Sequence, residues 1–531
     1  MTDNKTNISL NKEIFASWIP DQSIEANLSV HGHLEHSAPI SALRTRGVDA
    51  LRAFSGNFSF VYSDKHGLLA ARSKTSKFPL YLSTDTHTIA SDRHRLGTDR
   101  PVNDARIAHA LVGTTPAEMT YLKGVSRIAP GTWVHISISG ISKGRWAPTL
   151  GDLVEGEPLL SIEESPKALL SALTHAVRTA LTGSDHAVTA NSGGLDSSTL
   201  TMLANAIQPT DHMTLLFQTE EADERSFSNI VSAAVQGDNH GVDYPSRRTT
   251  QDWRGTARPW LGANIDLQAT LMAHCATLGA DTLILGSGGD FVTSHGYELL
   301  ATYSPLHAFT HINKLASRGF GTRAELLQRW VLRPRLPAWL LHLNRRRRGD
   351  VSRILPAWIN PDFATAHDLQ FRLTDAWDSW SNSTHRTTLN DPFHTTLVDD
   401  LIEIGRTFGV NVHLPFFNED VIRTALLAPP GAHLADGWTR NLLREATVGV
   451  LPEEVRTRTT KATFSTLFHA MNRADADLFR QHIAHPHLAQ WIDVATVNSL
   501  TDRYLSGEDR CWRGPHFASQ MGRWLTAKIT T

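Results

Sequence analysis

His186-Ala187-Val188-Thr189-Ala190-Asn191-Ser192-Gly193-Gly194-Leu195-Asp196-Ser197-Ser198 reads as a short apolar strand, a glycine-rich turn and the opening of a helix. Glycines let a backbone approach a phosphate closely, and the free amides of a helix N-terminus supply donors and partial positive charge. Ser192, Ser197 and Ser198 add hydroxyl donors beside Gly193 and Gly194. Asp196 conflicts with this, because a carboxylate repels phosphates unless a cation stands between them. Mg²⁺ bridging Asp196 to a pyrophosphate removes the conflict. The turn lacks a Gly-Lys-Ser/Thr ending, so transfer of a γ-phosphoryl group is not indicated.

Outward from this turn, strands and helices alternate. Ile162 to Thr182, Ser197 to Ile207 and Arg225 to Gln236 carry helical spacing, while Met213 to Phe217 and Thr282 to Leu285 read as buried strands. That order predicts a parallel sheet with helices on both faces. Leu285-Gly286-Ser287-Gly288-Gly289-Asp290 repeats the strand-to-acidic-turn pattern. Ligands sit at the carboxyl ends of parallel strands, so both turns are expected to converge on one site. Beyond about residue 300 the pattern is mostly helical, with many Trp and Arg residues. Before about residue 148 it consists of short strands punctuated by turns, as in Phe58 to Ser63, Asp64-Lys65-His66-Gly67, then Leu68 to Arg72. This part reads as an antiparallel β-rich unit. A Gly-, Pro- and acid-containing stretch at about 143–160 reads as the linker.

The bulk numbers agree with a globular, multi-core chain. There are 531 residues, 41% hydrophobic and 20% charged, which implies two or three cores. Formal charge is −2, from 51 basic and 53 acidic residues, which gives no reason to expect nucleic acid or a membrane as partner. Two cysteines, Cys275 and Cys511, exclude a disulfide framework and offer no zinc spacing. No apolar run approaches a spanning helix and the start has no signal-peptide pattern, so a cytoplasmic location is expected.

The motifs also carry a family likeness. Ser192 to Ser198 resembles the pyrophosphate loop of ATP pyrophosphatases, which cleave ATP to AMP and pyrophosphate. Leu285 to Asp290, and Gly409-Val410-Asn411-Val412-His413-Leu414-Pro415-Phe416-Phe417-Asn418-Glu419-Asp420, are similar to elements of the asparagine synthetase group. Phe54 to Tyr62 and Phe78-Pro79-Leu80-Tyr81 are similar to that group's glutaminase domain, yet position 2 holds Thr2 in place of a nucleophilic cysteine. Glutaminase activity is therefore expected to be absent. Thr459-Thr460-Lys461-Ala462-Thr463-Phe464-Ser465 resembles an element of lasso-peptide cyclases, with Ala462 where Gly is usual. Ser287 stands where asparagine synthetases have Glu and β-lactam synthetases have Tyr, which disfavours β-lactam synthesis.

The resemblance implies an α/β fold with two domains. One, at 1–148, is a degenerate glutaminase-like, Ntn-hydrolase-like β-rich domain. The other, at 160–531, is an ATP-pyrophosphatase (adenine nucleotide alpha hydrolase-like) parallel-sheet domain with a helical C-terminal part. It implies ATP and Mg²⁺ as cofactors. Ser192, Gly193, Gly194, Asp196, Ser197, Ser198, Gly288 and Gly289 would hold ATP and pyrophosphate, Asp196 and Asp290 the metal, and Lys461 would act as electrostatic catalyst. The implied reaction is macrolactam closure in a precursor core peptide, with a leader peptidase and a leader-binding protein as partners. Amidation with free ammonia, a β-lactam synthetase-like reaction, and a non-catalytic nucleotide-binding role are the alternatives. Glu224 and Arg225 either frame ATP or start a helix, and the run Arg345 to Arg348 reads as a solvated loop.

Overall fold

The computed structural model describes residues 7–10, 14–17, 27–36, 40–75, 77–97, 99–244, 259, 263–335, 355–381, 384–460 and 462–529. Thr2, Arg345 to Arg348 and Lys461 lie outside the described residues.

Among its described residues the N-terminal part contributes ten strands: β1 (Asn7–Leu10), β2 (Phe15–Ser17), β3 (Asn27–His36), β4 (Ser55–Asp64), β5 (Gly67–Arg72), β6 (Tyr81–Ser83), β7 (Thr88–Ala90), β8 (Val125–Arg127), β9 (Thr132–Ser137) and β10 (Gly140–Arg145). They form a six-stranded sheet, β1-β3-β4-β5-β9-β10, and a four-stranded one, β2-β7-β6-β8. All pairings but the parallel β1–β3 edge are antiparallel. The antiparallel, β-rich class expected from the sequence is the one found, here arranged in two sheets.

The near-continuous apolar run of β4 has a physical cause. Val61 joins Leu68, Leu82, Ile89 and Ile136 in one buried cluster shared by residues of both sheets. Phe58, Phe60 and Tyr62 point the other way, into a cluster with Ala42, Leu43 and Leu51 from the short helices at 40–53. A strand covered on both faces has no solvent side on which to place polar residues.

The third sheet comprises β11 (Ala187–Ala190), β12 (Asp211–Leu216), β13 (Asn239–Asp243), β14 (Thr282–Ile284) and β15 (Asn411–His413), ordered β13-β12-β11-β14-β15 and wholly parallel. From β11 the chain steps outward to β12 and β13, then returns to place β14 on the other side of β11. The strand order therefore reverses between β11 and β14, where ligands bind in such sheets. The helix expected from Ser197 begins at Leu195, so Asp196 lies in its first turn.

The expected linker is no free tether. Gly140–Arg145 is strand β10, paired with β9. Beyond it, Leu150, Leu153 and Val154 are buried in the core of the parallel sheet, and the Gly151 amide donates to Asn390 Oδ1 at 2.7 Å. The C-terminal helices Ala476–Ile483, Val494–Leu505 and Arg513–Ile529 return to the four-stranded sheet. Phe479, Trp491, Tyr504 and Trp524 share one buried cluster with Tyr81, Ala90 and Val125. Among the described residues no helix is long and apolar enough to cross a membrane.

Candidate functional site

The first turn is held open by its own side chains. Asn191, almost fully buried, donates from Nδ2 to the Ser228 carbonyl at 3.0 Å and accepts the Gly193 amide on Oδ1 at 3.2 Å. Ser192 and Ser197 join hydroxyl to hydroxyl at 2.9 Å. Gly193 has φ +69°, and a Cβ there would lie 2.6 Å from the Ser228 nitrogen, so only glycine fits. Ser192 is exposed and Asp196 half-buried, whereas Ser198 is fully buried with Oγ unpartnered among the described residues.

The second turn lies against the first. A Cβ on Gly286 would come within 2.7 Å of the Ser197 amide nitrogen, and one on Gly289 would strike the Asp196 carboxylate. The absence of a side chain at Gly289 is what gives Asp196 its room. Gly288 faces the ring of Phe417, which belongs to the Pro415–Phe417 turn after β15. All three sequence motifs thus meet at the reversal of strand order.

Asp196 and Asp290 converge on one guanidinium, that of Arg440. Its Nη1 donates to Asp196 Oδ2 and to Asp290 Oδ1, each at 2.8 Å, while Nη2 donates to Asp196 Oδ1 and to Thr293 Oγ1. Burial works against the Arg440 charge, yet the two carboxylates outweigh it and raise its pKa further. Arg440 sits just before the helix Asn441–Ala446 with φ +55°, a left-handed conformation uncommon for a side-chain-bearing residue. The motif reading did not find it.

The space between these carboxylates is thus filled by a cation, the Arg440 guanidinium. Among the described residues no group of three or more His, Cys, Asp or Glu side chains is arranged for a metal. A Mg²⁺ ion held by Asp196 and Asp290 would need phosphate and water oxygens to complete its shell, as this hard cation ordinarily does.

Arg458 braces the rim. It pairs with Glu224 at 2.7 Å, donates to the Gly193 carbonyl at 3.1 Å and lies 4.1 Å from the Phe227 ring centroid. Glu224 thus anchors Arg458, while Arg225 pairs with Asp223 at 2.6 Å on the surface. Past Lys461, the Thr463 amide donates to the Glu221 carbonyl at 3.1 Å and Phe464 packs on Phe217. Arg444, driven down to about 10 mainly by burial, donates to the backbone carbonyls of Thr439 and Arg458 at 3.0 and 2.9 Å.

A cavity of about 820 Å³ opens beside Asp290. Its walls include His295, Tyr297, Glu298, Phe320 and Trp330. Tyr297 stacks on Trp330 with centroids 5.2 Å apart and planes 13° from parallel, and the His295 ring lies 5.9 Å from that of Tyr297. Trp330 belongs to a π-helical stretch, Leu327–Leu332, a rare form that recurs at functional sites.

Residues 168–526 match the family model for asparagine synthase. No curated protein matches the chain. Two solved structures are similar over part of it. One is the allosteric regulatory enzyme of purine biosynthesis, at 13% identity over 46% of this chain and 49% of that one, with TM-score 0.14. The other is the glutamine phosphoribosylpyrophosphate amidotransferase from B. subtilis complexed with ADP and GMP, at 11% identity over 46% and 51%, with TM-score 0.15. The chain spans about half the length of either.

Proposed function

Because the chain belongs to the asparagine synthase family, whose members form amide bonds with ATP, we propose that it closes a macrolactam in a lasso-peptide precursor. A side-chain carboxylate of the core peptide attacks the α-phosphate of ATP, releasing pyrophosphate. The peptide's own N-terminal amine then attacks the acyl-adenylate, giving the isopeptide bond and AMP. The observation that carries this reading is the cavity beside Asp290. At about 820 Å³ it lies within the range of about 300–1,000 Å³ that encloses drug-sized ligands, and a free amino acid would leave most of it to water. Its stacked aromatic wall suits a folded peptide segment. No cysteine occurs in residues 1–148, which agrees with an amine drawn from the substrate itself.

In this reading the amides and hydroxyls of Ser192 to Ser197 hold the pyrophosphate, and Asp196 and Asp290 hold Mg²⁺. When bound, the metal neutralises charge on the leaving pyrophosphate. Lys461 would supply the positive charge that stabilises the developing charge at the α-phosphate. The protein orients carboxylate and amine inside one cavity, which favours ring closure. A leader peptidase and a leader-binding protein would deliver the peptide.

The experiment is mass spectrometry of candidate core peptides incubated with the protein, ATP and Mg²⁺, with pyrophosphate assayed alongside. Loss of one water together with pyrophosphate release supports macrolactam closure. Pyrophosphate release with free aspartate and ammonia, and an unchanged peptide mass, refutes it in favour of asparagine synthesis.

A further inference from the structure

An amine that attacks an acyl-adenylate must shed a proton as the C–N bond forms, and the turn residue Ser287 offers only a hydroxyl. We propose that Glu298 is the general base of the amide-forming step, receiving that proton on its free carboxylate oxygen inside the cavity. The inference rests on the adenylation chemistry proposed above and adds the group that handles the attacking amine.

Three observations carry it. Glu298 lines the same cavity as Asp290, so the nucleotide turn and this carboxylate face one space. The chain reverses between them through two left-handed residues, Ser294 at φ +43° and Gly296 at φ +74°. That conformation is strained for a serine, and it persists here because its hydroxyl is doubly used. Ser294 Oγ donates to Glu298 Oε1 at 2.7 Å and accepts the Gly296 amide at 3.0 Å. The hydroxyl fixes one carboxylate oxygen, while among the described residues Oε2 takes no hydrogen bond. A half-buried carboxylate oriented by one bond and open at the other oxygen is suitably placed to accept a proton.

Three other proton-accepting groups of the cavity are committed elsewhere. Asp290 is engaged by Arg440. Glu325 closes a capping box, accepting both the amide and the hydroxyl of Thr322. His385 bonds through Nε2 to the Val292 carbonyl, and burial lowers its pKa to about 3. His295 lies 3.8 Å from Asp290 and against the Tyr297 ring.

The step balances without a further reactant. The neutral amine forms the C–N bond, the carbonyl–phosphate C–O bond breaks, and AMP departs with the electron pair. One N–H proton passes to Glu298 and from there to solvent.

Glu298→Gln tests the proposal, since the amide oxygen can still accept from Ser294. Acyl-adenylate is trapped with hydroxylamine, a strong neutral nucleophile that can pass its proton to water. The expected result is hydroxamate yield within about twofold of wild type while lactam formation falls about 100-fold or more. Glu298→Asp, which keeps a carboxylate, should regain part of that loss. Unchanged lactam formation would overturn the proposal, and so would a parallel fall of hydroxamate and lactam. If wild type forms hydroxamate from free aspartate and none from peptide, the macrolactam reading fails. The ratio of amide to hydroxamate with ammonia then still decides the role of Glu298.

Discussion

Replacing Arg440 by methionine removes the cation between Asp196 and Asp290 while nearly keeping its volume. The Arg440 side chain is 7% exposed, Asp196 19% and Asp290 32%, so water can reach the carboxylates only in part. Breaking a buried ion pair by deleting one partner costs about 3–5 kcal/mol, and the exposure of Asp290 argues for the lower end, about 3 kcal/mol. A unit the size of residues 168–526 has an unfolding entropy of about 0.75 kcal/mol/K, so the thermal midpoint should fall by about 4 °C. Mg²⁺ should then restore part of the loss by occupying the vacated position. At about ten times its dissociation constant it returns about 1.4 kcal/mol, or about 2 °C, and wild type should respond less. Arg440→Lys keeps the charge but not the forked geometry, and should fall between the two. The assay is a thermal melt of each protein with and without Mg²⁺. An Arg440→Met protein that melts like wild type, with no larger response to Mg²⁺, would refute the idea that this guanidinium holds the carboxylate pair together.

Four further outcomes are expected. Gly289→Ala drives a Cβ into the Asp196 carboxylate, so pyrophosphate release should drop about 100-fold or more while circular dichroism stays unchanged. Lys461→Met should slow acyl-adenylate formation about 100- to 1,000-fold with ATP binding retained, as read by hydroxamate trapping against nucleotide titration. Arg72→Met leaves Asp399, which is buried, with one guanidinium instead of two, and urea melts should show a loss of about 3 kcal/mol. Burial, aided by the Lys77 charge, lowers His413 to about 3, so it stays neutral in the fold but takes a proton on unfolding below about pH 6.5. Stability should therefore decline as pH falls from about 6.5 toward 3, by up to about 1.4 kcal/mol per unit from this group, and His413→Gln should flatten the slope.

What could be read beforehand was local. Both glycine turns, β11, β12, β14 and the β4–β5 hairpin follow from short-range periodicity and turn chemistry. Arg440 could not be read that way, because its partners Asp196 and Asp290 lie 244 and 150 residues away along the chain. Nothing near an arginine in Thr439-Arg440-Asn441 marks it as the clamp of two distant turns. Strand β13, Asn239-His240-Gly241-Val242-Asp243, lies at the sheet edge and has one apolar residue, so no strand period could show. The stretch after Arg145 has linker composition but hides Leu150, Leu153 and Val154, which packing against the parallel sheet recruits into the core. Glu298 has no sequence motif at all. Only the two backbone reversals at Ser294 and Gly296 bring it to the cavity.

The β-rich part has a physical connection to the second turn. Arg72 and Arg127 from β5 and β8 both grip Asp399, and Arg93 grips Asp400 and Glu403. These acids lie on the helix Pro392–Thr407, whose Val398, Leu401 and Ile404 enter the core of the parallel sheet. That helix leads into β15, β15 into the Pro415–Phe417 turn, and Phe417 lies over Gly288, two residues before Asp290. Lys74, just beyond β5, secures Glu419 beside that turn at 2.7 Å. Buried charge pairs contribute little net stability, but they penalise any other docking by leaving charges unpaired. The β-sheets thus fix the position of one helix, the helix fixes β15, and β15 supports the turn that carries Asp290. Loss of the N-terminal sheets would remove the far end of this chain of contacts and loosen a carboxylate that has to meet its partner within a few ångströms.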